Sequence, residues 1–514
     1  MGKIAILDCT LRDGGYYTNW DFDKALAESY FKACNKLPVE YIEIGYRSLP
    51  QKDYLGEYFY CPDCVLENVR RLSEKKLSIM LNEKDVRPEH VPALLHSAQG
   101  KIDLIRLAVD PNNMLRAVKL AEEIKKFNFK VGFNVMYMSK WQDQPGFLAN
   151  LKSAKDVMDY FYMVDSYGGV SPKNVIEAFN LVKERVDVPI GFHGHNNMEM
   201  GLINSLTAIG CGAEMIDATV TGMGRGAGNL KTELLLTALN AQGKLDIDFN
   251  ALSDLTQVFE TLQEKYKWGT SLPYMVSGAN SLPQKDVMDW VGKRFYSYNS
   301  IIRALQNQKN KVEDNERFEK FSPEKHFSTV LIIGGGPSLS QHMPAIRAFI
   351  NTRDDLALIH ASARNAALFK GIRCHQYFCL VGNEGNRLEK AIHELGVFSG
   401  ECLLPAFPRK MGTYVPPMVL SKTRELKEIE FSPILKDAHT ALALQASLQL
   451  GAKEIYVAGY DGYGQTAVSS REFELFSENE FLFANFKKHT SLWLHAITPT
   501  VYKELKADSV YAKI

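Results

Sequence analysis

Val188-Pro189-Ile190-Gly191-Phe192-His193-Gly194-His195-Asn196-Asn197 is an apolar run that ends in a polar turn carrying two histidines. Read as a strand entering a loop, it aims His193 and His195 to one face, because side chains two apart on a strand share a side. Neutral imidazole is a common ligand for divalent transition metals. Alone, the pair reads equally as two surface histidines. A second stretch shifts the balance. Asp8-Cys9-Thr10-Leu11-Arg12-Asp13-Gly14-Gly15 also leaves an apolar run, Ile4-Ala5-Ile6-Leu7, and sets a carboxylate beside a guanidinium. One carboxylate and two imidazoles make a three-ligand site with positions left open for substrate.

Between and around these stretches, residues 1–245 repeat one unit, a short apolar strand followed by a polar–apolar helical segment. The strands are read at 4–8, 39–46, 76–82, 102–109, 130–138, 160–165, 188–193 and 214–220. Helical segments such as Asp23–Lys36, Asn113–Phe127 and Pro172–Arg185 separate them. Eight evenly spaced β/α units in ~250 residues favour a closed (β/α)₈ barrel over an open doubly wound sheet. Chemistry in such barrels sits at the C-terminal strand ends. There this chain places Arg12 and Asp13, Glu43, Asn82, Arg106, Asp165 and Ser166, His193 and His195, and the turn Gly222-Met223-Gly224-Arg225-Gly226-Ala227-Gly228-Asn229.

Residues 246–307 read as a helical extension with Trp268, Tyr274 and Trp290, serving either as a cover for the barrel mouth or as packing. Residues 308–327 are charged and poor in apolar side chains, and read as a linker. From 328 to 514 the pattern restarts as a separate, Rossmann-like α/β domain. Its first strand, Thr329–Ile333, runs into Gly334-Gly335-Gly336-Pro337-Ser338, a turn whose amides suit either a phosphate or a plain tight turn.

Composition narrows the class. The 514 residues are 46% hydrophobic and 23% charged, with 60 basic and 60 acidic side chains, so no electrostatic case exists for nucleic acid or a membrane surface. Met1-Gly2-Lys3-Ile4 lacks a leader's apolar core, and no apolar run approaches a membrane span, which leads to an expectation of the cytoplasm. The eight cysteines read as reduced thiols, and Cys61-Pro62-Asp63-Cys64 has no second pair at zinc spacing. Homo-oligomerisation is left open.

Leu11-Arg12-Asp13-Gly14, Ile42-Glu43-Ile44, Asp165-Ser166, His193-Gly194-His195-Asn196-Asn197 and Gly226-Ala227-Gly228-Asn229, in that order, resemble the DRE-TIM metallolyase superfamily. That group includes 4-hydroxy-2-oxoacid aldolases, HMG-CoA lyase and the isopropylmalate and citramalate synthases. The resemblance implies a divalent cation (Mn²⁺, Mg²⁺, Co²⁺ or Zn²⁺) on Asp13, His193 and His195, with Asn229 as a further ligand. It implies Arg12 as the electrophilic arginine and Glu43 as the glutamate of the family signature. Gly15, Arg106 and Ser166 are assigned to substrate. Where the family's aldolases carry a catalytic histidine, this chain has Tyr16, which is assigned to proton transfer, with Tyr17 and a metal-bound water as the alternatives. The C-terminal stretch Ile333–Leu339 with Ile455–Gly462 resembles, more loosely, 6-hydroxymethylpterin diphosphokinase-like and bacterial sialyltransferase-like folds. It implies a nucleotide or nucleotide sugar at Gly334, Gly335, Gly336, Ser338 and Asp461.

The expected activity is therefore a metal-dependent aldolase or lyase making or breaking a C–C bond next to a 2-keto acid, with an aldehyde as partner. An enolate beside a keto acid needs an electrophile, and no lysine stands among the rim residues to supply a Schiff base instead. Two alternatives remain: a Claisen synthase using an acyl-CoA, and a metal-free barrel acting as scaffold for a C-terminal glycosyltransferase.

Overall fold

Eight parallel strands close on themselves in the first half of the computed structural model: β1 Ala5–Asp8, β2 Tyr41–Tyr46, β3 Lys76–Asn82, β4 Leu104–Val109, β5 Lys130–Val135, β6 Tyr160–Asp165, β7 Ile190–Gly194 and β8 Met215–Ala218. Each pairs with the next in sequence, and β1 pairs with β8. The structure describes residues 4–52, 54–292, 298–313, 317–382, 384–396, 398–409, 414–463 and 470–514. Met1-Gly2-Lys3, residues 293–297 of the predicted helical extension, and residues 314–316 of the predicted linker lie outside the described residues. No helix among the described residues is long and apolar enough to cross a membrane.

The strands are shorter than the apolar runs suggest, because Val39, Glu40 and Met136–Met138 lie outside the ladder. Two compact units result, Met1–Met288 and Asp289–Ile514. The division falls inside the stretch read as a helical extension: Phe249–Tyr266 and Leu272–Ala279 lie in the first unit, Tyr298–Asn310 in the second.

The barrel interior is filled by Leu7 on β1, Tyr41 on β2, Leu104 on β4, Tyr162 on β6 and Met215 on β8. Tyr162 takes most of that space. A Cβ on Gly191 would stand 2.4 Å from its ring and one on Gly132 3.1 Å, so both glycines make room for it. Seam closure rests on Asp8, whose buried carboxylate accepts hydrogen bonds from Thr10, Tyr30 and Thr232, while Thr10 Oγ1 in turn accepts from the Val220 amide.

Helix boundaries follow local chemistry. Asp23 caps Lys24–Lys36 by accepting from the Leu26 amide, and Ser171 with Asn174 forms a capping box on Pro172–Lys183. Thr10–Thr18 is helical despite Gly14 and Gly15 in its interior, where each costs ~0.5–1 kcal/mol. Packing explains them: a Cβ on Gly15 would meet the Trp20 ring at 2.1 Å and one on Gly14 the Met223 sulfur at 2.6 Å.

The second unit is one parallel sheet of eight strands: β9 Thr329–Ile333, β10 Leu356–His360, β11 His375–Cys379, β12 Glu401–Leu404, β13 Thr423–Glu425, β14 Glu454–Ala458, β15 Leu494–Ala496 and β16 Lys506–Ala507. Their order is β13-β12-β11-β10-β9-β14-β15-β16, so the chain reverses its direction of growth between β9 and β14. The Ala/Leu-rich helix His439–Gln449 is buried along nearly its whole length.

His360 at the end of β10 is fully buried, stacked 4.3 Å from the Phe378 ring, with Nε2 on Gln376 Oε1 at 2.9 Å. Burial lowers its pKa from 6.5 to about 4. As pH falls from 6.5 toward 4, the unfolded chain gains a proton that the folded ring refuses, so stability is lost in that window. The loss amounts to about 3 kcal/mol and levels off below pH 4. Amide-exchange protection of Leu356–His360 should follow that curve, and His360→Phe should flatten it; an unchanged pH slope in the variant would contradict the assignment.

Candidate active site

The polar residues read from the strand ends meet at one end of the barrel, and their arrangement starts from Arg106 on β4. This side chain is fully buried, with its guanidinium 4.0 Å from the centroid of the Tyr162 ring. Nε donates to Asn134 Oδ1 at 2.8 Å, one terminal nitrogen lies 3.3 Å from Glu43 Oε2, and the other is bonded to Asp217. Burial opposes its charge, but Asp217 and Glu43 outweigh it and hold the guanidinium more firmly protonated than usual.

From this base the network runs upward. Asp217 Oδ2 stands 2.9 Å from His193 Nδ1, and Glu43 Oε2 accepts from Arg12 Nε at 2.8 Å. Arg12 also pairs with Asp13, its neighbour in the first turn of Thr10–Thr18. A helix N-terminal turn favours an anion. Burial alone would raise the Asp13 pKa, but Arg12 foremost, then His193 and His195, bring it below the usual value.

Asp13 and His193 come together as the sequence implies. Asp13 Oδ2 is 3.7 Å from His193 Nε2 and accepts from Asn229 Nδ2 at 2.7 Å. The His195 ring lies 5.0 Å from that of His193, with Nδ1 at 2.6 Å from the Asp165 carbonyl. Both imidazoles are thus held through Nδ1, which leaves Nε2 for a ligand. Burial, then the neighbouring His193, lowers the His195 pKa to about 4, so the ring is neutral at pH 7. Asn229 Oδ1 is buried with no hydrogen-bond partner. An orphaned carbonyl oxygen, a carboxylate and the free His193 nitrogen are donors that suit a divalent cation, while His195 lies outside the closest set of ligand atoms among the described residues. Cys9, not anticipated from the sequence, also belongs here: its sulfur, an Asp13 oxygen and a His193 nitrogen lie within 4.8 Å of one another. Burial and the Asp13 charge push its thiol up, and the sulfur is 3.5 Å from the Ala218 carbonyl.

The remaining predicted positions lie around this cluster. Tyr16 stands with its hydroxyl 3.5 Å from that of Tyr46, while Tyr17 is bonded to the Gly226 carbonyl at 3.3 Å. Burial raises the Tyr17 pKa beyond the physiological range. Gly15 packs under Trp20, and Ser166 Oγ accepts from the Tyr137 amide at 2.8 Å. Asp165 accepts from the Gly169 and Val170 amides, yet burial raises its pKa to about 6. Asp217, Tyr46 and Arg225 were not among the predicted site residues; Asp217 had a readable signal, an acid inside an apolar strand.

In the second unit, Gly334, Gly335, Gly336 and Asp461 line a cavity of about 230 Å³ at the reversal point between β9 and β14, together with Ser362, Arg364 and Arg387. Two of the three glycine amides are already engaged: Gly334 donates to Ala458 and Gly336 to Gly459, each at 2.8 Å. Asp461 accepts from both the amide and the hydroxyl of Ser338. The turn is therefore locked to β14, and a phosphate has the Gly335 amide and the arginines to meet.

Because Asp217 orients His193 through Nδ1, Asp217→Asn should weaken Mn²⁺ binding ~10–100-fold. Calorimetric titration of the full chain checks this, and an unchanged affinity would show that the contact does not tune the ligand.

Residues 104–263 match the HMGL-like family. Over 265 residues, half of this chain and 74% of the relative, the sequence is 29% identical to an oxaloacetate decarboxylase of Mycobacterium tuberculosis. It is 28% identical over 279 residues, 51% of this chain and 78% of the relative, to a 4-hydroxy-2-oxovalerate aldolase of Pelotomaculum thermopropionicum. Among solved structures, the N-terminal domain of a candidate aldolase from Bacteroides vulgatus is matched over its full length, at 56% identity, 59% of this chain and a TM-score of 0.56. With the cation-fitting cluster at its mouth, the chain belongs to the HMGL-like family, the divalent-metal-dependent carbon–carbon lyases of the DRE-TIM superfamily.

Proposed function

We propose that the barrel is an aldolase that joins a pyruvate-type 2-keto acid to an aldehyde, or cleaves the product. The observation that carries this reading is Arg12 fixed between Glu43 and Asp13, beside the His193, His195 and Asn229 donors. Asp13, His193, His195 and Asn229 would hold a divalent cation, which when bound would supply the electrophile for the keto group. Arg12 donates to the oxygen that becomes negative as C3 gives up its proton to solvent water and becomes the carbanion, and a guanidinium keeps its own proton at pH 7. Glu43 keeps Arg12 aimed, and Arg106 keeps Glu43 in place.

When C3 attacks the aldehyde carbonyl, the new C–C bond leaves an alkoxide that must take a proton. Tyr16 supplies it in this reading, backed by Tyr46, whose hydroxyl burial holds in the protonated form. Gly15 and Ser166 shape the pocket for the keto acid. In the cleavage direction the same groups act in reverse.

For the second unit, the cavity at the β9/β14 reversal favours a nucleotide or nucleotide sugar, since open parallel sheets bind ligands at such a point. The two activities together suit the making of a keto-sugar acid for a surface polysaccharide.

The full chain incubated with pyruvate, Mn²⁺ and a panel of aldehydes should give an aldol adduct by mass spectrometry, and chelation should abolish it. Arg12→Ala should lower kcat ~10²–10³-fold. Release of free CoA from an acyl-CoA would favour the Claisen synthase. Unchanged turnover in His193→Ala and His195→Ala would refute the aldolase reading.

A further inference from the structure

Arg225 differs from the other arginines of the barrel mouth. Arg12 is paired with Asp13 and Glu43, and Arg106 with Glu43 and Asp217. Arg225 is half-buried, and no carboxylate among the described residues forms an ion pair with it. Its guanidinium lies 4.1 Å from the centroid of the Tyr16 ring, and its charge also acts on Tyr46 and Tyr137. Apart from Tyr16, no side chain among the described residues accepts a hydrogen bond from it. A guanidinium lying over a ring uses its face and keeps N–H donors on its edge for a planar or tetrahedral oxyanion.

The position is built rather than loose. Gly226 and Gly228 adopt positive φ values of 63° and 78°, and the Gly228 amide donates to the Arg225 carbonyl at 3.1 Å. A Cβ on Gly226 would come within 2.8 Å of Tyr274, and its carbonyl accepts from Tyr17. The same turn delivers Asn229 to Asp13. Arg225 therefore stands over the proton-transfer residue of the proposed reaction, on a turn fixed to the cation-binding cluster. Asp13 acts on Arg225 only through space, without an ion-pair contact, and a half-buried cation so placed is expected to meet a counter-charge on the ligand.

We propose that Arg225 receives an anionic terminus, carboxylate or phosphate, on the aldehyde partner, and so restricts the barrel to acidic or phosphorylated aldehydes. The inference rests on the aldolase reading and deepens it. Tyr137, with Tyr167 5.4 Å away and Lys140 donating to the Tyr167 hydroxyl, adds hydroxyl and cationic groups near this side of the mouth.

Matched aldehyde pairs test it in the full chain with pyruvate and Mn²⁺: propanal against succinic semialdehyde, and glyceraldehyde against glyceraldehyde 3-phosphate. The wild type should prefer the charged member of at least one pair, and the preferred pair tells carboxylate from phosphate. In Arg225→Gln the aldehyde KM for that member should rise about 10- to 100-fold, the worth of a charged hydrogen bond. That rise should exceed, by about tenfold or more, any change in deuterium exchange at pyruvate C3. Arg225→Lys should recover part of the preference. As a readout without turnover, calorimetric binding of succinate or glycerol 3-phosphate should weaken in parallel in Arg225→Gln. Equal use of charged and neutral aldehydes by the wild type, or a preference kept in Arg225→Gln, would overturn the assignment. Absence of pyruvate exchange in the wild type would instead contradict the aldolase reading, and this assignment with it.

Discussion

Glu43 and Asp217 are carboxylates sealed inside the barrel, and Arg106 lies between them on the face of Tyr162. Removing one partner of a buried ion pair typically costs ~3–5 kcal/mol, because the other charge is left without water or counter-ion. Each member of this network also serves a residue nearer the substrate. Glu43 accepts from Arg12, and Asp217 from His193. Folding and catalytic orientation therefore draw on the same contacts. The glycines at 132 and 191 serve the same arrangement: side chains there would crowd the Tyr162 ring, on whose face Arg106 lies.

This layering explains how a mouth built from several strand ends stays ordered. β2, β4, β7 and β8 each contribute one member, and the helix just beyond β1 two, to a continuous chain from Asp13 through Arg12, Glu43, Arg106 and Asp217 to His193. The two imidazoles are oriented from behind by different acceptors, a carboxylate for His193 and a backbone carbonyl for His195. Asymmetric support of this kind gives two imidazoles of unequal basicity.

Much of this was legible in the sequence. Eight apolar runs at regular spacing announce the barrel, and polar residues just past each run mark its working end. That placement brings Asp13 and His193 into one cluster with Cys9, while Asn229 is singled out only by the family resemblance. Other features depend on contacts far apart in sequence. Gly14-Gly15 looks like a break, yet Met223 and Trp20 hold it in a helix. Arg225 reads as part of a glycine-rich turn until its place over the Tyr16 ring, without an ion-pair partner among the described residues, is seen. In the second unit, β12, β13, β15 and β16 are only four, three, three and two residues long, too short for a periodic signal. The engagement of the Gly334 and Gly336 amides by β14 is likewise invisible without the sheet order.

The central claim is that one divalent cation sits among Asp13, His193, His195 and Asn229. Anomalous diffraction at the manganese edge, from crystals of the full chain grown with Mn²⁺, addresses it most directly. The account predicts a single strong peak within bonding distance of the Asp13 carboxylate and both histidine Nε2 atoms. A mouth with no peak, or a peak bonded to none of these groups, would contradict it.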